Sequence, residues 1–242
     1  MNRKRLVFMT GTRADFGKLK SLISITQESD DYEVHIFVTG MHMNALYGST
    51  IDEIRKSGLK NIYPFINHDS IDNMDRTLAK TIDGFSHFIS EIEPDLIVVH
   101  GDRVEALAGA IVGSLNNILV AHIEGGEVSG TIDGLIRHAV SKMSHVHLVA
   151  NEESRSRLIQ LGELPKSIFI LGSPDIDLMT SDKLPSLDDV KKYYNISFSN
   201  YSIAILHPVT TEAKNSKIYA QIFVDALLET DDCYIVIYPN ND

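Results

Sequence analysis

The sequence predicts an α/β protein: a Rossmann-like, doubly wound, mostly parallel sheet, followed by a second α/β domain that is begun and incomplete. Three observations carry the α/β part. Short apolar runs such as Leu6-Val-Phe-Met9, Leu96-Ile-Val-Val99 and Ile118-Leu-Val-Ala121 recur along the chain. Segments with apolar residues at helical spacing separate them. The runs empty into loops rich in Gly, His and carboxylates, as strands do at the ligand-binding edge of an α/β sheet.

The elements follow in order. After strand 6–9 comes Thr10-Gly-Thr-Arg-Ala-Asp-Phe-Gly-Lys18, then a helix with Leu19, Leu22, Ile23 and Ile25 available for its inner face. Strand 33–39 ends in Gly40-Met41-His42. A helix over 51–56, a short strand near 62–66 and a helix over 72–91 come next. The last spaces Met74, Leu78, Ile82, Phe85, Phe88, Ile89 and Ile92 at near-helical intervals, and its Met and Phe positions read as core. Pro94 stops it. Strand 96–100 leads to a helix over 104–115, rich in Ala and Gly and so suited to close packing on a sheet. Strand 118–122 opens into a glycine loop. Thr131 or Asp133 then starts a helix through Leu135, Ile136 and Ala139. A strand at 147–150, a helix over 152–161, a strand at 168–171 and a helical turn from 172 continue the alternation.

Residues 1–180 are therefore expected to form the N-terminal Rossmann-like domain, and the polar stretch 181–200, with a short charged helix near 187–194, a linker. Residues 201–242 begin a second Rossmann-like domain: strand 201–206, helix 216–228, strand 234–238. Two strands and a helix cannot bury a core alone. The region after about residue 185 is accordingly expected to be poorly ordered or aggregation-prone, and proteolysis to leave a core ending near 180.

Composition bounds the function. The chain has 242 residues, 43% hydrophobic and 23% charged, an ordinary globular balance. Its net charge is -11, without a basic stripe, which argues against a nucleic-acid partner. The lone Cys233 excludes a disulfide framework and a cysteine zinc site. No apolar run approaches the ~20 residues that span a membrane, and the run after the basic start is too short for a signal peptide. The expected compartment is the cytoplasm.

Two strand ends carry the chemistry. His100-Gly-Asp102-Arg103 and His122-Ile-Glu124-Gly-Gly-Glu127 each deliver a His followed two residues later by a carboxylate. Neighbouring parallel strands would bring these groups to one sheet edge, as metal ligands, as an acid/base cluster, or as residues bracing the loops. His145 and His147 lean toward structure. Gly11-Thr-Arg-Ala-Asp-Phe-Gly17-Lys18 departs from the P-loop, which needs four residues between its glycines and Ser or Thr after the Lys. No G-x-G-x-x-G is present either. Arg13 and Lys18 instead read as phosphate contacts at a helix N-terminus.

These residues resemble a family. Thr12-Arg13-Ala-Asp15, His100-Gly-Asp102-Arg103, the run from His122 through Glu124, Glu127 and Ser129 to Asp133, Arg137-His138 and His207-Pro-Val-Thr-Thr-Glu212 look like the hydrolysing UDP-N-acetylglucosamine 2-epimerases of sialic and legionaminic acid synthesis. The resemblance runs through the whole chain, and the long central motif is its most specific part. It implies the GT-B fold and a longer full-length chain, with most of the second domain absent here. It also implies that UDP-GlcNAc, or UDP-diacetylbacillosamine, is converted to the free mannose-configured sugar plus UDP without metal or redox cofactor. By motif position Asp102, Glu124, Asp133 and His207 correspond to the catalytic residues. Arg13, Lys18 and Arg103 would contact UDP or orient the carboxylates, and His42 would line the sugar pocket. His100, His122 and Glu127 join them as substrate-binding candidates. A homo-oligomer, dimer or tetramer, is expected at full length. A non-hydrolysing 2-epimerase, a GT-B glycosyltransferase and a non-catalytic nucleotide-sugar sensor are the competing readings.

Overall fold

The computed structural model describes residues 3–45, 49–67, 73–181, 184–207 and 210–237. Asp72 at the expected helix start, Tyr238 at the expected strand end, and Pro208-Val209 of the His207 motif lie outside the described residues. The chain divides into two compact units, 1–181 and 182–242.

Among the described residues of the first unit, seven strands form one parallel sheet. They are β1 (Lys4–Thr10), β2 (Tyr32–Val38), β3 (Ile62–Pro64), β4 (Leu96–His100), β5 (Leu119–Ile123), β6 (Val146–Val149) and β7 (Ile168–Ile170). Their order is β3-β2-β1-β4-β5-β6-β7. The winding direction reverses between β1 and β4. That switch point opens a crevice at the strands' carboxyl ends, where α/β sheets bind ligands.

The helices are α1 (Arg13–Glu28), α2 (Ile51–Lys56), α3 (Met74–Ile92), α4 (Val104–Leu115), α5 (Thr131–Lys142), α6 (Glu152–Gln160) and α7 (Pro174–Met179). Core forms on both sheet faces. On one, Leu19 and Ile23 of α1 pack against Phe8, Ile36, Val98 and Ile123. On the other, Phe85 and Ile89 of α3, Val112 of α4 and Val140 of α5 cover Val7, Ile97, Val99 and Val120. Helix α4 lies so close to the sheet that a Cβ on Gly113 would come within 2.4 Å of Val120. This is the close packing that its Ala and Gly content foretells.

Two side chains depart from the sequence reading. Ile25 is 68% exposed. It stands two residues past the buried Ile23, about 200° round the helix at 3.6 residues per turn. Met74 is 50% exposed. It opens α3 at the rim of an apolar groove shared with Leu78, Leu107 and Leu135, rather than in the core.

The second unit holds α8 (Leu187–Tyr193), β8 (Ser202–Ile205), α9 (Ser216–Leu228) and β9 (Tyr234–Ile237). Strands β8 and β9 pair in parallel. Ile203, Val236, Ile222 and Leu228 are exposed within it.

Candidate active site

The site is built at the ends of β1, β4 and β5. After β1 the chain turns at Gly11 and Thr12 into α1. Thr12 caps the helix and Asp15 closes the capping box. The Asp15 carboxylate accepts from the backbone N–H of Gly11 at 2.9 Å and of Thr12 at 3.1 Å, and takes the Thr10 hydroxyl as well. Asp15 thus shapes this loop. Arg13 is exposed at the helix start, and Lys18 reaches out one turn beyond.

Behind this loop His42 is fully buried in a short 3-10 turn after β2. Its Nε2 lies 2.9 Å from the Thr10 hydroxyl and its Nδ1 2.7 Å from that of Thr50. Burial lowers its pKa, against the opposing pull of Asp15 and Glu105. His42 therefore braces the loop from within.

Strand β4 delivers His100 and, after the turn at Gly101, Asp102. Arg103 then caps α4, its Nε 3.3 Å from the buried Glu105. Strand β5 delivers His122 and Glu124. The register pairs Val99 with His122 and His100 with Ile123. Side chains alternate faces along a strand, so the two histidines fall on opposite faces of the sheet. His100 lies on the α1 side, its Nε2 3.0 Å from Glu124 Oε2 but out of line for a hydrogen bond. His122 lies on the α5 side, fully buried, with Nε2 2.8 Å from the Gly101 carbonyl and Nδ1 3.0 Å from the Ser141 hydroxyl. A carbonyl only accepts, so Nε2 carries the proton and Nδ1 accepts from Ser141. Burial pushes the His122 pKa down to about 3.

Glu124 is the meeting point. Lys18 Nζ donates to both its oxygens, at 2.9 and 2.8 Å. Burial alone would raise its carboxyl; His100 and Lys18 outweigh burial and hold the pKa at about 2. The same pair leaves Lys18 raised despite its own burial, with Asp175 3.6 Å away contributing. Glu124 also adopts a left-handed backbone, φ 61°, unusual for a residue with a Cβ. The glycines that follow have no freedom to change. A Cβ on Gly125 would meet His122 and Ser141 at 2.9 Å, and one on Gly126, at φ +77°, would meet the Ser154 carbonyl at 2.4 Å.

Asp102 faces the same place from β4. Its Oδ2 accepts from the Ser129 hydroxyl at 2.9 Å and from Arg137. Glu127 lies 3.9 Å from Arg137. Asp133 stands in the first turn of α5, one turn before Arg137 and so on the same face. His207 belongs to the second unit, just beyond β8, and is exposed. The sequence reading had Arg137 only as a motif letter. A signal was present: it occupies a helix stripe with Val140 and Ser141, where an Arg is buried only if paired. Among the described residues no group of three or more His, Cys, Asp or Glu is arranged to hold a metal ion. No helix among them is long and apolar enough to cross a membrane.

The buried histidine makes stability pH-dependent. The folded His122 pKa lies below its ordinary value near 6.5, so its contribution is complete above pH 6.5 and lost as pH falls toward 3. His42 and His147 are lowered too and add to the loss; Glu124 adds only below about 4.5. The melting temperature should therefore drop between pH 6.5 and 4.5, and His122→Asn should flatten that drop. An unchanged slope in the variant would contradict the assignment.

This geometry defines a class: a Rossmann-like half of a GT-B-type fold with carboxylates and cations gathered at its switch point. A solved UDP-GlcNAc 2-epimerase from Methanocaldococcus jannaschii, in complex with UDP-GlcNAc and UDP, superposes with a TM-score of 0.80 at 22% identity, covering 98% of this chain and 66% of that one. The family described as UDP-N-acetylglucosamine 2-epimerase matches residues 24–242, and the chain belongs to it. It is 51% identical over 99% of its length to a UDP-N-acetylglucosamine 2-epimerase of Neisseria meningitidis, covering 63% of that protein. It is 38% identical over 99% of its length to a hydrolysing UDP-N,N'-diacetylbacillosamine 2-epimerase of Legionella pneumophila, covering 64%. The chain thus spans just under two thirds of these curated relatives.

Proposed function

We propose that the site serves a hydrolysing 2-epimerase acting on UDP-GlcNAc or UDP-diacetylbacillosamine in the cytoplasm, as part of a longer, oligomeric protein. The observation that carries this is the convergence of Asp102 and Glu124, from adjacent strands, on Arg137 and Lys18. Inverting a sugar carbon requires taking its proton from one face and returning one to the other, hence more than one proton-handling group in fixed positions.

In this reading a carboxylate among Asp102, Glu124 and Asp133 removes the proton at sugar carbon 2. The bond from carbon 1 to the β-phosphate oxygen breaks, and UDP leaves with its electron pair, giving a glycal. Water adds its oxygen to carbon 1, and carbon 2 takes a proton from the opposite face. Free ManNAc, or its diacetamido analogue, and UDP result. In its resting pair Glu124, held at about 2, is a weak base. It can take the proton only if the hold of both His100 and Lys18 on its charge is relaxed, Lys18 turning instead toward a diphosphate. Arg13, Lys18 and Arg103 would face the departing UDP, where cations and the α1 N-terminus offset developing charge. His207, in the second unit, stays a catalytic candidate by its motif. His100 and Glu127 would flank the sugar, while His42 and His122 hold the loops that shape its pocket.

The Neisseria relative is named a UDP-N-acetylglucosamine 2-epimerase, a name that a second reading, in which UDP stays on the product, fits equally. NMR of the products of the full-length protein carrying this chain separates the two. Free mannose-configured sugar plus UDP is the expected outcome. UDP-ManNAc would favour the second reading, and no reaction with either UDP-sugar would reject both.

A further inference from the structure

The carboxylates are held by a group that itself needs no contact with substrate. Arg137, 7% exposed, extends from α5 into the gap between the ends of β4 and β5. Its Nη1 donates to the Glu124 carbonyl at 2.6 Å, and its Nη2 to Asp102 Oδ2 and, at 2.9 Å, to the Ser129 hydroxyl. Its Nε points at the same hydroxyl from 3.2 Å. The Ser129 hydroxyl in turn donates a hydrogen bond to Asp102 Oδ2. One planar fork thus ties a carboxylate from β4 to a main-chain carbonyl from β5 and to the loop between β5 and α5.

The Glu124 contact matters most. A left-handed backbone at a non-glycine residue is strained and persists only where its surroundings fix it. Glu124 is fixed from both sides: its N–H donates to the Leu148 carbonyl at 2.9 Å, and its own carbonyl is taken by Arg137. That conformation aims its side chain at Lys18 and His100.

We propose that Arg137 is a positioning residue for the reaction: its guanidinium sets the relative placement of the Asp102 and Glu124 carboxylates. This rests on the epimerase reading above. Lysine cannot replace it, because a single ammonium cannot span three acceptors in one plane.

The test has two arms. In the full-length protein carrying this chain, Arg137→Met should lower kcat by ~10²-fold with KM for the UDP-sugar within about threefold. Arg137→Lys should recover only a minor part. Methylguanidinium added to Arg137→Ala should restore turnover partially, which a general loss of fold would not allow. Unchanged kcat, full activity in Arg137→Lys, or a loss confined to KM overturns the proposal. The second arm needs no turnover. In the 242-residue chain, Arg137→Lys should speed hydrogen exchange at 101–103 and 124–131 while the remaining segments keep wild-type rates. Exchange that is unchanged there, or raised everywhere, also overturns it. If the wild-type protein turns over neither UDP-sugar, the epimerase reading fails and the exchange arm decides the placement by itself.

Discussion

Replacing Glu124 by Gln in the full-length protein is expected to cut turnover by ~10²-fold or more while UDP binds nearly as before, and Asp102→Asn should do the same. The change keeps each side chain's size and removes its charge. Glutamine could still meet Lys18 through its carbonyl oxygen but could neither accept the carbon-bound proton nor balance the cations around it. Asp102→Asn would leave Arg137 and Ser129 facing an amide in place of an acceptor-only carboxylate. The Asp102 and Glu124 substitutions leave Arg13 and the start of α1 untouched, so binding of the diphosphate should survive. Isothermal titration with UDP alongside steady-state kinetics reads both quantities. A variant with near-full turnover would strip that residue of its role.

The 242-residue chain by itself is expected to release no measurable sugar or UDP and to bind UDP weakly. Its first unit carries the carboxylates. Its second contributes His207, one parallel strand pair and two helices, with Ile203, Val236, Ile222 and Leu228 turned to solvent. Binding energy from the nucleotide end is what holds a sugar against its base, and so small a second unit supplies little of it. Apolar faces with so few partners also favour self-association. Limited proteolysis should leave a fragment ending near residue 180 that keeps its melting transition. Measurable release of UDP by the purified chain would mean that the first unit holds most of the binding site.

How far the sequence foretold this arrangement depended on the range of the interactions involved. The elements follow from local pattern: α4 and α9 occupy the residues their apolar and small-residue spacing marks out, and β4 ends at His100 as its apolar run does. That β4 and β5 lie side by side, bringing Asp102 and Glu124 together, follows from sequential strands being neighbours. The register between them does not. The two His-x-carboxylate ends look like twins in sequence, yet a one-residue offset sends His100 toward α1 and His122 toward α5. One sits against Glu124; the other is a neutral brace between a carbonyl and a serine. Arg137 was illegible for a related reason. Its three acceptors come from positions 13, 8 and 35 residues away, gathered only when the glycine loop folds back over α5. Glu105, buried beside Gly11 and Gly40, gave no sign of itself within a helix of small apolar residues.

The central claim is that the carboxylates at the ends of β4 and β5 exchange a proton at sugar carbon 2. Running the full-length reaction in D₂O and recording the proton spectrum of the product tests it most directly. The account predicts one deuteron at carbon 2 of the mannose-configured product, and loss of that incorporation together with turnover in Glu124→Gln and Asp102→Asn. Product that retains its original hydrogen at carbon 2, or full incorporation by both variants, would contradict it.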